Sequence, residues 1–116
     1  KSWNPDRQKA LDDLTFSTII RVIKEHGGTA IEQVGNDLLY RGKKFAGKEW
    51  MFIQNVGYIE NTVVTCEYLP EKQYFDRLFH HNKEKPITGI TDQVPSVTKE
   101  VLMTEINKAV KELLKQ

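Results

Sequence analysis

The sequence predicts an α+β fold, an antiparallel or mixed sheet of hairpins packed against one amphipathic helix near the N-terminus and another at the C-terminus. Three observations carry that expectation. Apolar residues recur at helical spacing from Leu11 to Ile23, the period falls to two between Thr29 and Tyr68, and helical spacing returns after Thr98.

The first helix opens on Asn4-Pro5-Asp6. That is a capping oxygen, then a proline whose missing N–H costs nothing in the first turn, then a carboxylate near the positive end of the helix dipole. Leu11, Leu14, Thr18 and Val22, with Ile19 and Ile23 beside them, form one apolar face over about five to six turns. His26-Gly27-Gly28 stops the helix, with Gly27 as the expected left-handed cap. Short β-type runs follow at Thr29 to Val34, Asp37 to Tyr40, Lys44 to Phe45, Glu49 to Gln54 and Tyr58 to Tyr68. Arg41-Gly42-Lys43 and Asn55-Val56-Gly57 supply turns in which glycine takes positive φ. Pro70 begins a short helix with Tyr74, Phe75, Leu78 and Phe79 facing inward. His80 to Pro95 holds two prolines and a glycine without any period, and reads as a long surface connection. Thr98 caps the last helix, Glu100 lies in its first turn, and Leu102, Ile106, Ala109, Val110 and Leu113 form its buried stripe.

At 116 residues and 39% hydrophobic content the chain supports one modest core, hence a single domain over residues 1–116. Seventeen Lys plus Arg against sixteen Asp plus Glu, scattered without a block, argue against nucleic acid or an anionic membrane as partner. Residues 1–20 carry six charged side chains, unlike a signal peptide, and no window reaches the length of a membrane span. The single cysteine, Cys66, lies in the apolar run Thr62 to Leu69; it reads as a small core residue and a poor nucleophile. A chain without disulfides suits a reducing compartment, so a cytoplasmic protein is expected. His80-His81 are adjacent and have no third ligand at a recognisable spacing, which points away from a metal site. There is no Gly-Xaa-Ser-Xaa-Gly elbow, Walker loop or dinucleotide fingerprint.

The stretch Gly35 to Gly47, GNDLLYRGKKFAG, is where chemistry concentrates. It resembles the lysine-bearing strand-turn-strand of lipoate- and biotin-protein ligases, in which Asn-Asp begins a strand, Gly-Lys-Lys turns back and a glycine lets the ligand approach. The resemblance implies that Lys44 contacts the acid's carboxylate and then the phosphate of the acyl-adenylate. It implies that Asn36 and Asp37, with Gly42, Lys43 and Gly47, shape the nucleotide side. A fixed ammonium in a desolvated cleft suits that chemistry, since joining a carboxylate to ATP brings two anions together. Gly57-Tyr58 followed by Thr62-Val63-Val64, then Glu67-Tyr68-Leu69 and Gly89-Ile90-Thr91, favours the lipoate branch; a biotin-ligase-like fragment is the weaker alternative.

The departures shape what function to expect. The family's Arg-Arg-Xaa-Ser-Gly-Gly-Gly and His-Asp-Leu-Gly-Asn segments have no counterpart here, Ile59-Glu60-Asn61 replaces a His-His-Gly group, and Lys48-Glu49 follow Gly47 where small residues are usual. One expectation is a shortened ligase-like domain acting as a protein-interaction module through an exposed sheet edge beside Tyr58 to Tyr68, as a dimer or with another protein. The other is one half of a ligase site completed by a partner, adenylating lipoate or octanoate with ATP and magnesium for transfer to a lipoyl carrier domain. In isolation no cofactor is expected. Lys43 and Lys44 beside a glycine turn also fit a solvated hairpin tip, and Asn36-Asp37 a simple bend. On either reading Lys44 faces solvent, so its removal should leave stability within about half a kcal/mol.

Overall fold

A computed structural model describes residues 5–53, 57–69 and 86–115. The elements are helix α1 (Pro5–Glu25), strands β1 (Ile31–Val34), β2 (Asp37–Tyr40), β3 (Lys43–Ile53) and β4 (Gly57–Thr65), a single helical turn α2 (Ile90–Gln93), and helix α3 (Lys99–Leu114). The strands pair antiparallel in chain order, β1-β2-β3-β4. This is the α+β arrangement expected, a meander of hairpins with an amphipathic helix on each side of it in the chain.

α1 ends where the glycines require. The Gly27 N–H donates to the Lys24 carbonyl at 3.0 Å and the Gly28 N–H to the Ile23 carbonyl at 2.8 Å, with Gly27 at φ +87. This pair of bonds closes a helix with a left-handed residue and satisfies its last carbonyls. α1 and α3 lie antiparallel: the C-terminal end of α1 meets the start of α3, with His26 Nδ1 2.8 Å from Ser96 Oγ and Arg21 donating to Glu105 at 3.1 Å. Phe16, Ile19, Val22 and Ile23 of α1 close over Leu38, Tyr40, Phe45 and Ala46 of the sheet, with Leu102 of α3 completing the core. Each large apolar side chain fully buried there contributes about 1.5–3 kcal/mol.

Several expectations are corrected. Lys44–Phe45 and Glu49–Gln54 are not two runs: residues 43–53 form one strand of 11 residues through Ala46-Gly47-Lys48. Those central residues pair with β2 on one side and β4 on the other, and two ladders outweigh the weak strand preference of Ala and Gly. β4 stops at Thr65, three residues before Tyr68. Beyond it the carbonyls of Cys66 and Glu67 accept from Ile90 and Thr91 at 2.9 and 2.8 Å, and Asp92 Oδ2 accepts from the Leu69 N–H at 2.7 Å. The chain therefore leaves the sheet to seat α2.

The connection expected on the surface is, from residue 86 onward, partly interior. Thr88, Gly89, Ile90, Thr91 and Val94 are buried. The Lys44 N–H donates to the Pro86 carbonyl at 3.0 Å and the Thr88 N–H to the Lys44 carbonyl at 2.9 Å. Residues 86–88 thus run parallel to β3 in the lane that β4 leaves. Thr98 caps α3 as expected, its Oγ1 accepting from Val101 at 3.2 Å. Of the expected stripe only Leu102 is fully buried, because α3 packs mainly on α1 and not on the sheet. The cap at Asn4, the turn at Asn55-Val56, the helix after Pro70 with Tyr74, Phe75, Leu78 and Phe79, and His80-His81 lie outside the described residues. Among the described residues no helix is long and apolar enough to cross a membrane.

Candidate functional site

Two regions hold polar or open features: the outer face of the sheet around Lys44, and the edge of β4 beneath α3. The first follows from a bulge. Leu38 opposes Ala46 while Leu39 opposes Lys44, so Phe45 is an extra residue on β3. Phe45 and Ala46 both reach the helix-side core, and Lys44 turns to the opposite face with Leu39 and Asp37. Strict alternation would have placed Lys44 with Ala46 instead.

On that outer face Lys44 Nζ lies 3.0 Å from Asp37 Oδ1, with the two side chains 6% and 16% exposed. The register sets Asp37 opposite Gly47. Three of the expected site residues, Asp37, Lys44 and Gly47, are therefore together. Asn36, Gly42 and Lys43 are exposed at hairpin ends, and the Asn36 main chain is engaged, its carbonyl accepting from the Lys48 N–H at 2.9 Å. The expectation of a solvent-facing Lys44 is corrected: the lysine is buried, with Asp37 as its counter-ion. Cys66, in a small cluster with Val64 and Ile87, has its thiol pushed up to about 11 by burial, opposed by the Lys44 charge. It stays protonated near neutral pH and is a poor nucleophile, as its sequence position suggested.

The hairpin tip keeps its predicted geometry. Arg41 and Gly42 take φ +52 and +77, the paired positive values of a two-residue turn between twisted strands. A Cβ at Gly42 would meet open space, so a substitution there costs backbone strain alone. Gly42→Val should lose about 1 kcal/mol or more in urea unfolding. An unchanged midpoint would mean that the turn relaxes to another type.

Where α1 meets β3, Lys48 pairs with the helix. Its Nζ lies 2.7 Å from Asp13 Oδ1 and 5.1 Å from the centre of the Phe16 ring. Hydrogen bonds from Lys48 and then Lys9 hold the Asp13 carboxyl down at about 2. Its neighbour Asp12 is 4% exposed; Gln8 donates to Oδ1 at 3.1 Å, and Oδ2 has no hydrogen bond among the described residues. Burial raises its pKa above the usual carboxylate value. A carboxyl with a raised folded-state pKa binds its proton more tightly folded than unfolded. Its stabilising contribution is full below the unfolded pKa and is lost as pH rises through the folded one. Asp12→Asn should therefore raise the melting temperature at pH 7 and weaken the gain in stability on acidification; parallel pH profiles for the two proteins would refute this.

The second region is the edge of β4 that faces away from β3, which has no neighbouring strand among the described residues. The Cys66 N–H donates to the Phe45 carbonyl at 2.8 Å, and Gly47 opposes Val64. In an antiparallel ladder the inward-bonding residues alternate, so Val64 bonds to β3 while the N–H and C=O of Val63 and Thr65 point outward. Among the described residues those outward groups meet no main-chain partner. The side chains of Val63 and Thr65 also line a half-open cavity of about 330 Å³ walled by Ile19, Leu102, Met103 and Ile106. Sequence reasoning placed an open edge near here but missed Met103, which lies off the stripe assigned to α3. Its only signal was its position four residues after Lys99, one helical turn along the same line.

Among the described residues no group of three or more His, Cys, Asp and Glu side chains could hold a metal ion. Compared with known protein families, curated proteins and solved structures, the chain matches none.

Proposed function

We propose that this domain is a protein-interaction module that takes up an extended segment along the free edge of β4. One observation carries the reading: Val63 and Thr65 offer outward main-chain groups while their side chains line an apolar cavity. Main-chain pairing supplies affinity in such strand addition, and pockets for alternate side chains supply selectivity. Amide hydrogen exchange tests it directly. In dilute solution the Val63 and Thr65 amides should exchange as exposed groups while Val64 between them is slow; with a partner strand bound, all three should be slow. Slow exchange at Val63 and Thr65 in a dilute monomer would mean that the chain covers its own edge, and the reading would fall.

A second reading, half of a lipoate-ligase-like site completed by another chain, is favoured by the meeting of Asp37, Lys44 and Gly47. Against it as a self-sufficient enzyme stands the pairing of the Lys44 charge with Asp37, which leaves less of that charge for an acyl-phosphate. The isolated chain should not exchange pyrophosphate with ATP in the presence of lipoate, octanoate or biotin. Robust exchange that disappears in Lys44→Ala would promote the enzyme.

A further inference from the structure

We infer that the cavity between α1, β4 and α3 is a binding site for a small uncharged molecule of two fused rings. Its walls are Thr15 and Ile19 of α1, Val63 of β4, and Leu102, Met103 and Ile106 of α3. It is half-open and about 330 Å³ in volume. A dry apolar cavity of about 150 Å³ holds one benzene ring, so this one has room for two. It also falls within the range of about 300–1,000 Å³ usual for ligand pockets. Met103, 48% exposed, is the wall that can adapt, since an unbranched thioether changes shape at little cost. The site uses side chains alone, and so stands whether or not a strand pairs with β4.

The polar groups around the cavity decide against an ion. The Thr15 hydroxyl donates to the Leu11 carbonyl at 2.8 Å, so its donor is used within α1. Glu67, half-buried, and Lys99, exposed, line the same cavity and are tied to each other, Glu67 Oε2 accepting from the Lys99 main-chain N–H at 2.9 Å. A carboxylate entering there would meet Glu67 as well as Lys99, and an ammonium would meet Lys99 as well as Glu67. Either ion would leave water for a wall of apolar carbon with no net opposite charge to offset the loss. A neutral ring loses nothing of that kind and gains by the burial of its own surface.

Indole and its two charged relatives, indole-3-acetate and tryptamine, test this in heteronuclear NMR titrations of the whole chain. Indole at millimolar concentration should shift the resonances of Ile19, Val63, Leu102, Met103 and Ile106 together. The two ions should bind more weakly by about fivefold or more, each stripped of water beside a like charge. Glu67→Gln, whose amide oxygen still accepts from Lys99, should strengthen indole-3-acetate relative to indole, and Lys99→Gln should do the same for tryptamine. Ile106→Trp, which places a two-ring side chain in the cavity, should abolish indole binding; should that variant fail to fold, Met103→Glu, at an exposed wall, must weaken it. No shift at these residues, equal binding of all three molecules, or binding indifferent to both cavity variants overturns the inference. So does a mass that doubles in light scattering with the same resonances moved by protein concentration alone, since a second copy would then be the occupant. Failure here leaves the amide-exchange test of strand addition unaffected, so the two readings fall separately.

Discussion

Lys44→Ala is expected to destabilise the fold by about 3 kcal/mol in urea unfolding at neutral pH, the cost of leaving one member of a buried ion pair without its partner. The Lys44 and Asp37 side chains are 6% and 16% exposed at an N–O separation of 3.0 Å, so water replaces the lost ammonium poorly. A lysine held in an open ligand cleft would behave differently, its loss costing little. The double variant Lys44→Met with Asp37→Leu separates burial of charge from burial of volume. Replacing both charges by apolar groups of similar size should recover most of the loss, because the desolvation of two ions is removed together with their attraction. A neutral Lys44→Ala would show that Asp37 is hydrated where it stands, and would return Lys44 to the role of a solvent-facing binding residue.

Gly89→Ala should be comparably severe, about 3 kcal/mol, with a melting temperature lower by about 10 °C or more. A Cβ at residue 89 would collide with the main chain of Tyr68 and lie 2.6 Å from the Glu67 carbonyl oxygen. These are backbone atoms, which cannot rotate aside as a side chain can. Relief requires moving residues 67–69, and with them the bonds that Thr91 and Asp92 make to that stretch. Gly42→Ala is the matched control, since a Cβ there meets nothing within 4 Å and only the positive φ is penalised. Equal small losses in the two variants would mean that the 67–69 stretch yields easily and that α2 is not docked as described.

Features governed by neighbours in the chain were legible beforehand. The span of α1, its double-glycine stop, the positive-φ glycine in the turn at Arg41-Gly42-Lys43 and the Thr98 cap of α3 all follow from side chains acting within a few residues of themselves. Of the candidate site, the sequence marked Asp37, Lys44 and Gly47 as members of one constellation, and they do meet. It misjudged the environment of Lys44, because a bulge at Phe45 leaves no mark in a period-two pattern and yet decides which face Lys44 occupies. It also misread residues 86–95 as a surface connection. Prolines and glycine there indicate irregular backbone, but irregular backbone can be interior when, as here, its amides and carbonyls find partners in β3 and in Cys66 and Glu67.

The sequence by itself determined that the chain is α+β, where α1 begins and ends, where α3 begins, and that the segment between them is built of hairpins, since these depend on local conformational preference and on the period of apolar residues. Only the tertiary structure decided that Lys44 is paired and buried, that Gly89 is a close-approach glycine, and that the outward groups of Val63 and Thr65 lie beside an apolar cavity. Each of those depends on atoms that the chain brings together only on folding: Lys44 on the bulge that turns it toward Asp37 and on Pro86, Gly89 on Tyr68, the cavity on α1, β4 and α3. Local preference carries no information about which distant surface a residue will meet, and burial energies are set by that meeting.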